Sequence, residues 1–252
     1  MAGRAAKRKE AGGAGRAAAP TFPRPLTSVD VVAFTVLDDA LQVLLVRRPT
    51  TDGEPFPGRA ALPGGFVDVA RDADLVACAR RTLRAKTTRV TPYLEQLGSW
   101  GGATRDPRGW SATHAYLALL PKEDARPPAA EDGAARGEWQ PVDAVLRRGG
   151  LAFDHREILA ASVERLRGKA EYTSLPAFLL AEPFTLPQLQ RAYEVVLARP
   201  VDKSAFRTRM LAAGFLEESG FVEGDSNRPA MGYRLRAPGT PVVFPRTFSP
   251  RG

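Results

Sequence analysis

The apolar residues of this chain change their spacing part-way along, and that change constrains its architecture more than any other feature. Through Leu120 short blocks and alternations, the pattern of strands, are interrupted once by helical spacing at 74–87; in the last third helical spacing takes over until two short strands near the end. Residues 31–37 read as a buried strand, Asp38-Asp39 as a turn and residues 42–48 as the hairpin partner. A Pro- and Gly-rich loop at 55–65 leads to a helix from Asp74 to about Thr87, in which Leu75, Cys78, Ala79, Thr82 and Leu83 share a face. Strands at 93–100 and 111–120 follow, the second alternating around Thr113, Ala115 and Leu117. Asp154 is placed to cap a helix through Arg167 that buries Ile158, Leu159, Val163 and Leu166. Strands and helices in this order predict an α+β unit around a mixed sheet over residues 26–170.

The last third obeys another rule. Helices are predicted at 175–181, 186–197 and 202–213, broken by Pro183, Pro200 and Gly214. Strands at 215–219 and 232–236 then flank a loop holding Gly220, Gly224, Asp225 and Pro229. Helix, helix, helix, strand, loop, strand is the order of a winged helix-turn-helix. A chain of 252 residues exceeds the usual domain size, so two domains with separate cores are expected: 26–170, then 171–240, with a tail at 241–252.

Composition narrows the function. A hydrophobic fraction of 44% suits globular domains. No run of about 18 apolar residues exists, and the basic N-terminus carries no apolar segment behind its charges, so neither a membrane span nor a secretory signal is expected. The single cysteine, Cys78, rules out an internal disulfide or a multi-cysteine zinc site and fits a reducing cytosol. The net charge of +8 points to a polyanionic partner, but Arg4, Lys7, Arg8, Lys9, Arg16 and Arg24 face only Glu10 in residues 1–25, so 6 − 1 = +5 lies there. That Ala-, Gly- and Arg-rich stretch is read as a disordered basic tail, either simply solvated or touching phosphates. Residues 122–137 form a second polar, Pro/Ala-rich loop.

The segment Leu62-Pro63-Gly64-Gly65-Phe66-Val67, followed by a helix, resembles the loop-helix opening of the Nudix family. That family's signature closes on R-E-U-x-E-E-x-G-U, with U aliphatic, and its glutamates hold divalent cations that activate water against a pyrophosphate. With Arg81 and Leu83 as anchors, Ala73 stands at the first glutamate, Thr82 follows the arginine, Ala85 and Lys86 replace the glutamate pair, and Thr88 replaces the glycine. The interval from Gly65 to Arg81 is also two residues longer than the pattern. Mg²⁺ takes hard oxygen ligands, chiefly carboxylates and phosphates. Thr82 and Lys86, four apart on one helix face, put a hydroxyl and a cation there instead. At about 4 Å a like charge costs on the order of 1 to 4 kcal/mol at effective dielectrics of 80 to 20, and twice that against a dication. Metal binding in the family's usual mode is expected to fail, and no cofactor is expected.

A pocket without metal can still hold a nucleotide. Gly64 and Gly65 permit close backbone approach, Arg47, Arg48, Arg80, Arg81 and Lys86 supply positive charge, and Trp100 or Trp110 could stack on a base. Each has a plainer reading as turn glycine, solvated cation or core aromatic. The stretch Arg105-Asp106-Pro107-Arg108-Gly109-Trp110-Ser111 is similar to a loop of Nudix proteins that act on ADP-ribose, which adds Arg105 and Trp110 to the candidates beside Phe66. Residues 83–97 (LRAKTTRVTPYLEQL), 151–155, 167–172, the run FTLPQLQRAYEVVLARPVDKSAFRTRMLAAGFLEE and NRPAMGYRL resemble the Nudix-related transcriptional regulators of NAD metabolism, the NrtR family. The resemblance spans about residues 28–236. It implies a Nudix-like mixed-sheet α/β/α sandwich followed by a winged helix, ADP-ribose or a related NAD metabolite as effector, a dimer, and repression of NAD-metabolism genes.

In the winged-helix reading, residues 186–197 form the supporting helix with Leu189, Tyr193 and Val196 inward. Residues 202–213 form the recognition helix, capped by Asp202. Lys203, Ser204, Arg207, Thr208 and Arg209 are its candidates for contact with a near-palindromic duplex operator, while Phe206, Met210 and Leu211 form its apolar stripe. Arg228, in the wing, is the candidate for backbone or minor-groove contact. Residues 171–252 carry ten Lys/Arg against eight Asp/Glu, a balance that also suits a protein-binding adaptor. An active ADP-ribose pyrophosphatase remains the alternative, with Asp68, Asp72 or Asp74 replacing the lost ligands. His114, His155 and Cys78 are read as structural, and the 154–167 helix as the element linking the domains.

Overall fold

The computed structural model describes residues 24–87, 91–125, 137–223 and 229–248. The basic tail at 1–23, most of the 122–137 loop and the wing tip at 224–228 lie outside them. The chain begins with β1 (Leu26–Leu37) and β2 (Ala40–Arg47), joined by a turn in which Asp38 and Asp39 take φ of 49° and 57°, a left-handed conformation that Asp tolerates. β3 (Ala60–Ala61) and β4 (Gly64–Phe66) follow inside what the sequence presents only as loop; at two and three residues they leave no periodic signal. α1 (Leu75–Arg84) is capped by Asp74, whose carboxylate accepts from the Ala77 N–H at 2.7 Å. β5 (Tyr93–Asp106) and β6 (Gly109–Leu119) form a hairpin longer than predicted, so the 105–111 loop is its tip.

β7 (Gly137–Pro141), α2 (Val142–Arg148) and α3 (His155–Ala170) complete the first unit. The sheet runs β3-β2-β1-β6-β5, with β4 added to β1 and β7 to β2. β1 pairs antiparallel with β2 and parallel with β6, so the sheet is mixed. Alternation along β1 decides the layers: Val29, Val31 and Ala33 pack with Cys78, Ala79 and Leu83 of α1, while Val32 and Phe34 join the side covered by α2 and α3. The result is the expected α/β/α sandwich.

A short 3-10 helix at Leu175–Leu179 takes the place of the helix predicted at 175–181; Pro176 at its start and Pro183 just beyond leave no room for α-helical turns. Then come β8 (Phe184–Thr185), α4 (Leu186–Leu197), α5 (Lys203–Ala212), β9 (Leu216–Glu223) and β10 (Pro229–Leu235). α4 opens on a reciprocal capping box between Thr185 and Gln188, and Asp202 caps α5 by accepting from the Ala205 N–H at 2.7 Å. The strands form a small sheet in the order β8-β10-β9. This is a winged helix.

Two expectations are corrected. The cores are not separate: one apolar cluster runs from Val32 and Phe34 through Ile158 and Leu159 of α3 and Tyr193 of α4 to Phe206 and Met210 of α5. Residues 241–248, read as tail, instead strap the winged helix. The Phe244 N–H donates to the Tyr172 carbonyl at 2.7 Å and the Phe248 N–H to the Glu171 carbonyl at 3.0 Å, while both rings enter the core. Prolines at 241, 245 and 250 hide that strap from any periodicity test.

Candidate functional site

A cavity of about 410 Å³ opens where β1, the end of β2, β4, the β5–β6 tip and the start of α3 meet. From the predicted set it brings together Arg47, Arg48, Gly64, Gly65, Phe66, Lys86 and Arg105. Gly64 is a glycine for a steric reason: a Cβ there would lie 1.9 Å from Asp30 Oδ1. Arg80, which is exposed, Arg81, Trp100 and Trp110 fall outside that lining. Arg81 lies below the wall, donating from Nε and Nη2 to Asp72 at 2.7 and 2.6 Å and from Nη2 to the Phe66 carbonyl at 3.2 Å, so it braces the loop and does not face the cavity. Trp110 stands 53% exposed outside the lining, and Trp100 packs half-buried on the core.

The centre of the site is a buried network. The Arg105 guanidinium donates through Nη2 to Asp30 at 2.9 Å and through Nε to Asp154 at 2.8 Å. Asp154 therefore occupies the N-cap position of α3 without capping it by its side chain, because its carboxylate is committed to Arg105. The Leu62 N–H donates to His155 Nδ1 at 2.9 Å, which leaves Nε2 to carry the proton 3.5 Å from Asp30. Burial pushes the Asp30 carboxyl up, but the His155 imidazole and Arg105 outweigh it and hold it below the usual range. Read as structural from the sequence, His155 fixes the loop that presents Gly64 and Gly65 and also lines the cavity.

Residues the sequence did not single out furnish the rest of the wall. Arg108 is clamped by Asp106 and lies 5.0 Å from the centroid of the half-exposed Phe66 ring, forming a flat cationic and aromatic platform. Phe153 holds φ at 53°, a left-handed conformation costly for so bulky a residue, and its ring carries Arg48 at 5.1 Å and Arg105 at 5.6 Å. The Ser111 hydroxyl is buried in the lining without a protein partner, a polar atom available to a ligand. Neither the strain at Phe153 nor the clamp on Arg108 has a one-dimensional signature.

The residues present do not fit the divalent cations of an active Nudix box. Among the described residues no three His, Cys, Asp or Glu side chains cluster as a metal site. The possible substitutes are otherwise engaged: Asp72 holds Arg81, Asp74 caps α1, and Asp68 accepts from the Ala70 N–H at 3.1 Å. The carboxylates that do line the cavity, Asp30, Glu54 and Asp106, are paired with Arg105, Arg48 and Arg108. The helix expected to run to about Thr87 stops at Arg84, so Thr82 and Lys86 do not share a helix face: Lys86 reaches the cavity lining from the turn beyond α1, while Thr82 is buried.

At the other end, α5 exposes Lys203, Ser204, Arg207 and Thr208 on one face, with Phe206 and Met210 buried opposite. Leu211, assigned to the apolar stripe, is 43% exposed, since it lies on the same side as Arg207. Arg209 turns away from that face: its guanidinium sits 4.2 Å from the Phe248 centroid and donates to the Thr247 carbonyl at 2.8 Å. Arg228 lies outside the described residues. α3 connects the two ends. Asp154 and His155 begin it at the cavity, Arg165 and Lys169 grip Glu95 of β5, and Arg167 Nε donates to the Val196 carbonyl of α4 at 3.2 Å.

Among the described residues no helix is long and apolar enough to cross a membrane. The NUDIX domain model matches residues 26–162, and the model of the NrtR DNA-binding winged helix domain matches residues 176–235. The chain is 40% identical over 225 residues, 89% of its length and 88% of the relative's, to the ADPR responsive transcriptional repressor NtrR of Acinetobacter baylyi. The crystal structure of Shewanella oneidensis NrtR is similar at a TM-score of 0.78 with 40% identity, covering 88% of this chain and 99% of that one. The same protein complexed with a 27mer DNA gives a TM-score of 0.76 with 37% identity over 88% and 98% of the two chains. Its NUDIX domain complexed with ADP ribose gives 0.51 with 40% identity over 57% and 90%.

Proposed function

This chain belongs to the NrtR family of Nudix-related transcriptional regulators, and from that premise we propose that it is a DNA-binding repressor of NAD-metabolism genes whose Nudix domain senses ADP-ribose or a closely related nucleotide. One observation supports the sensing role: among the described residues every carboxylate lining the cavity is bound to an arginine, and the turn after α1 brings Lys86 to the lining where the family's motif has a metal-binding glutamate. Such a cavity offers positive charge to a diphosphate and holds nothing to activate water against it. The domain is therefore a receptor and not a hydrolase.

In this reading the diphosphate lies against Arg47, Arg48, Lys86 and the Gly64-Gly65 backbone, and the Phe66–Arg108 platform takes a flat base. Lys203, Ser204, Arg207 and Thr208 enter the major groove, Arg228 of the wing touches the backbone, and two copies in a homodimer read half-sites about one helical turn apart. The protein works in the compartment that holds its operator, which we take to be the cytosol. The effector must prefer one arrangement of the dimer; driving a 1:99 balance to 99:1 needs about 5.5 kcal/mol of differential affinity. α3, fixed at one end by Arg105 and at the other by α4, is the element through which that difference reaches the recognition helices.

A gel-shift assay on DNA from upstream of NAD-metabolism genes, with and without ADP-ribose, tests the proposal. Retardation that ADP-ribose alters and AMP does not is expected. Retardation indifferent to ADP-ribose at every concentration would remove the sensor role.

A further inference from the structure

The β1–β2 hairpin touches both ends of the molecule. At one end Ser28, Asp30 and Arg47 line the cavity, and Asp30 is fixed there by Arg105. At the other, about 25 Å along β1 at roughly 3.3 Å per residue, the turn of Asp38 and Asp39 reaches α4, where Arg191 Nε donates to Asp39 Oδ1 at 2.8 Å. β6 flanks β1 and β7 flanks β2, so the hairpin is a stiff element that passes a displacement at one end to the other. The turn is also strained. Asp38 and Asp39 hold φ of 49° and 57°, a conformation that a two-residue hairpin turn reaches more easily with Asn-Gly. Aspartate at the second position gives up that ease and supplies the carboxylate that Arg191 binds.

The arrangement around α4 gives that contact something to control. Arg191, Val195 and Ala198 share one face of α4 and look across a cleft of about 420 Å³ onto Asp39 and Leu41 of the hairpin and Val142 of α2. The opposite face, with Leu189, Tyr193 and Val196, is sunk in the shared core. Apolar packing thus grips α4 on one side, while on the other an ion pair spans an open cleft, an arrangement in which the helix can tilt. α5 follows α4 after a short loop, so a tilt of α4 re-aims Lys203 and Arg207. Arg191 also lies 3.9 Å from Glu194 of its own helix, and its hydrogen bond holds the Asp39 carboxyl below its ordinary value. The two side chains are 53% and 66% exposed, so their pairing is worth at most about fivefold in an equilibrium constant, a size that adjusts a coupling and does not hold a fold together.

We propose that Asp39 and Arg191 are a positioning pair that couples the effector cavity to the winged helix, the β1–β2 hairpin carrying the state of the cavity to α4 beside the route through α3. The inference rests on the reading of the protein as an effector-responsive DNA binder. Its readout is the ratio of DNA affinities without and with ADP-ribose, measured for the full-length protein on the upstream DNA of the gel-shift assay, with thermal melting to verify folding. Asp39→Asn removes the charge and suits the turn, since Asn accepts a left-handed φ; Arg191→Gln removes the partner charge, and Arg191→Lys keeps it. Asp39→Asn and Arg191→Gln should each bring the ratio about two- to fivefold closer to one, the double variant should go no further, and Arg191→Lys should retain most of the wild-type response. A pair that only supported the fold would lower the melting temperature and leave the ratio in place. Wild-type DNA binding indifferent to ADP-ribose would overturn this inference together with the sensor reading. A wild-type response that both single variants leave intact, or losses that add in the double variant, would overturn this inference alone.

Discussion

Arg105 and Asp154 are joined through Nε and Oδ2 at 2.8 Å, and through that bond the tip of the β5–β6 hairpin holds the first residue before α3. The same guanidinium binds Asp30 of β1, so a single buried cation ties the sheet, the hairpin tip and the connecting helix together at the floor of the cavity. Arg105 was expected to meet the ligand, and it lines the cavity, but its hydrogen bonds are already directed at two carboxylates. In the proposed reading it braces the floor, while Arg47, Lys86 and Arg48, the last itself paired with Glu54, are the cations set against the diphosphate.

Removing that cation leaves the partly buried Asp154 without its ionic partner and the buried Asp30 with His155 alone. Arg105→Ala is expected to destabilise the fold by about 3 to 5 kcal/mol, the cost typical of breaking a buried ion pair from one side. Urea denaturation measures it, and a loss under about 1 kcal/mol would mean that water reaches the network freely.

Acid should loosen the same floor. The Asp30 carboxyl lies below its ordinary value of 3.8 in the folded protein, so between those two values the unfolded chain binds more protons than the native one. Its contribution to stability is present above about 3.8 and is lost as pH falls through the folded value. Asp30→Asn removes that titration, and the dependence of unfolding free energy on pH below 3.8 should become shallower by up to one proton. An unchanged slope would show that Asp30 is not held ionised by its neighbours.

Charge reversal at the end of α1 separates receptor from enzyme. Lys86→Glu places an acid where the family's hydrolases carry one, in a cavity built for an anion. Affinity for ADP-ribose, measured by titration calorimetry without metal, should fall about tenfold or more, in line with a repulsion of 1 to 4 kcal/mol at about 4 Å. Tighter binding in the variant would place the diphosphate away from α1.

How much of this was legible before the structure follows from the range of each signal. α4, α5 and their caps at Thr185 and Asp202 announce themselves within a few residues, since capping and apolar spacing are local. The loss of the Nudix carboxylates is equally local, whereas the place of Lys86 is not: helix spacing pairs it with Thr82, but α1 ends at Arg84 and Lys86 reaches the cavity from the following turn. What escaped was convergence. Nothing near Asp30 in the chain reveals that Arg105, Asp154 and His155 will meet it, nor that Phe153 will be held at a left-handed φ over two arginines. Arg209 differs: it follows Arg207 by two residues, so helix spacing alone turns it about 200° from the face of Arg207, to where the strap engages it through Phe248.

The most direct trial of the central claim is to incubate the protein with ADP-ribose and excess Mg²⁺ or Mn²⁺, following thermal stability and AMP release in the same sample. A rise in melting temperature without AMP is the predicted result. AMP produced at a steady rate, and abolished by Asp72→Asn or Asp74→Asn, would show that the cavity hydrolyses its ligand and contradict the account.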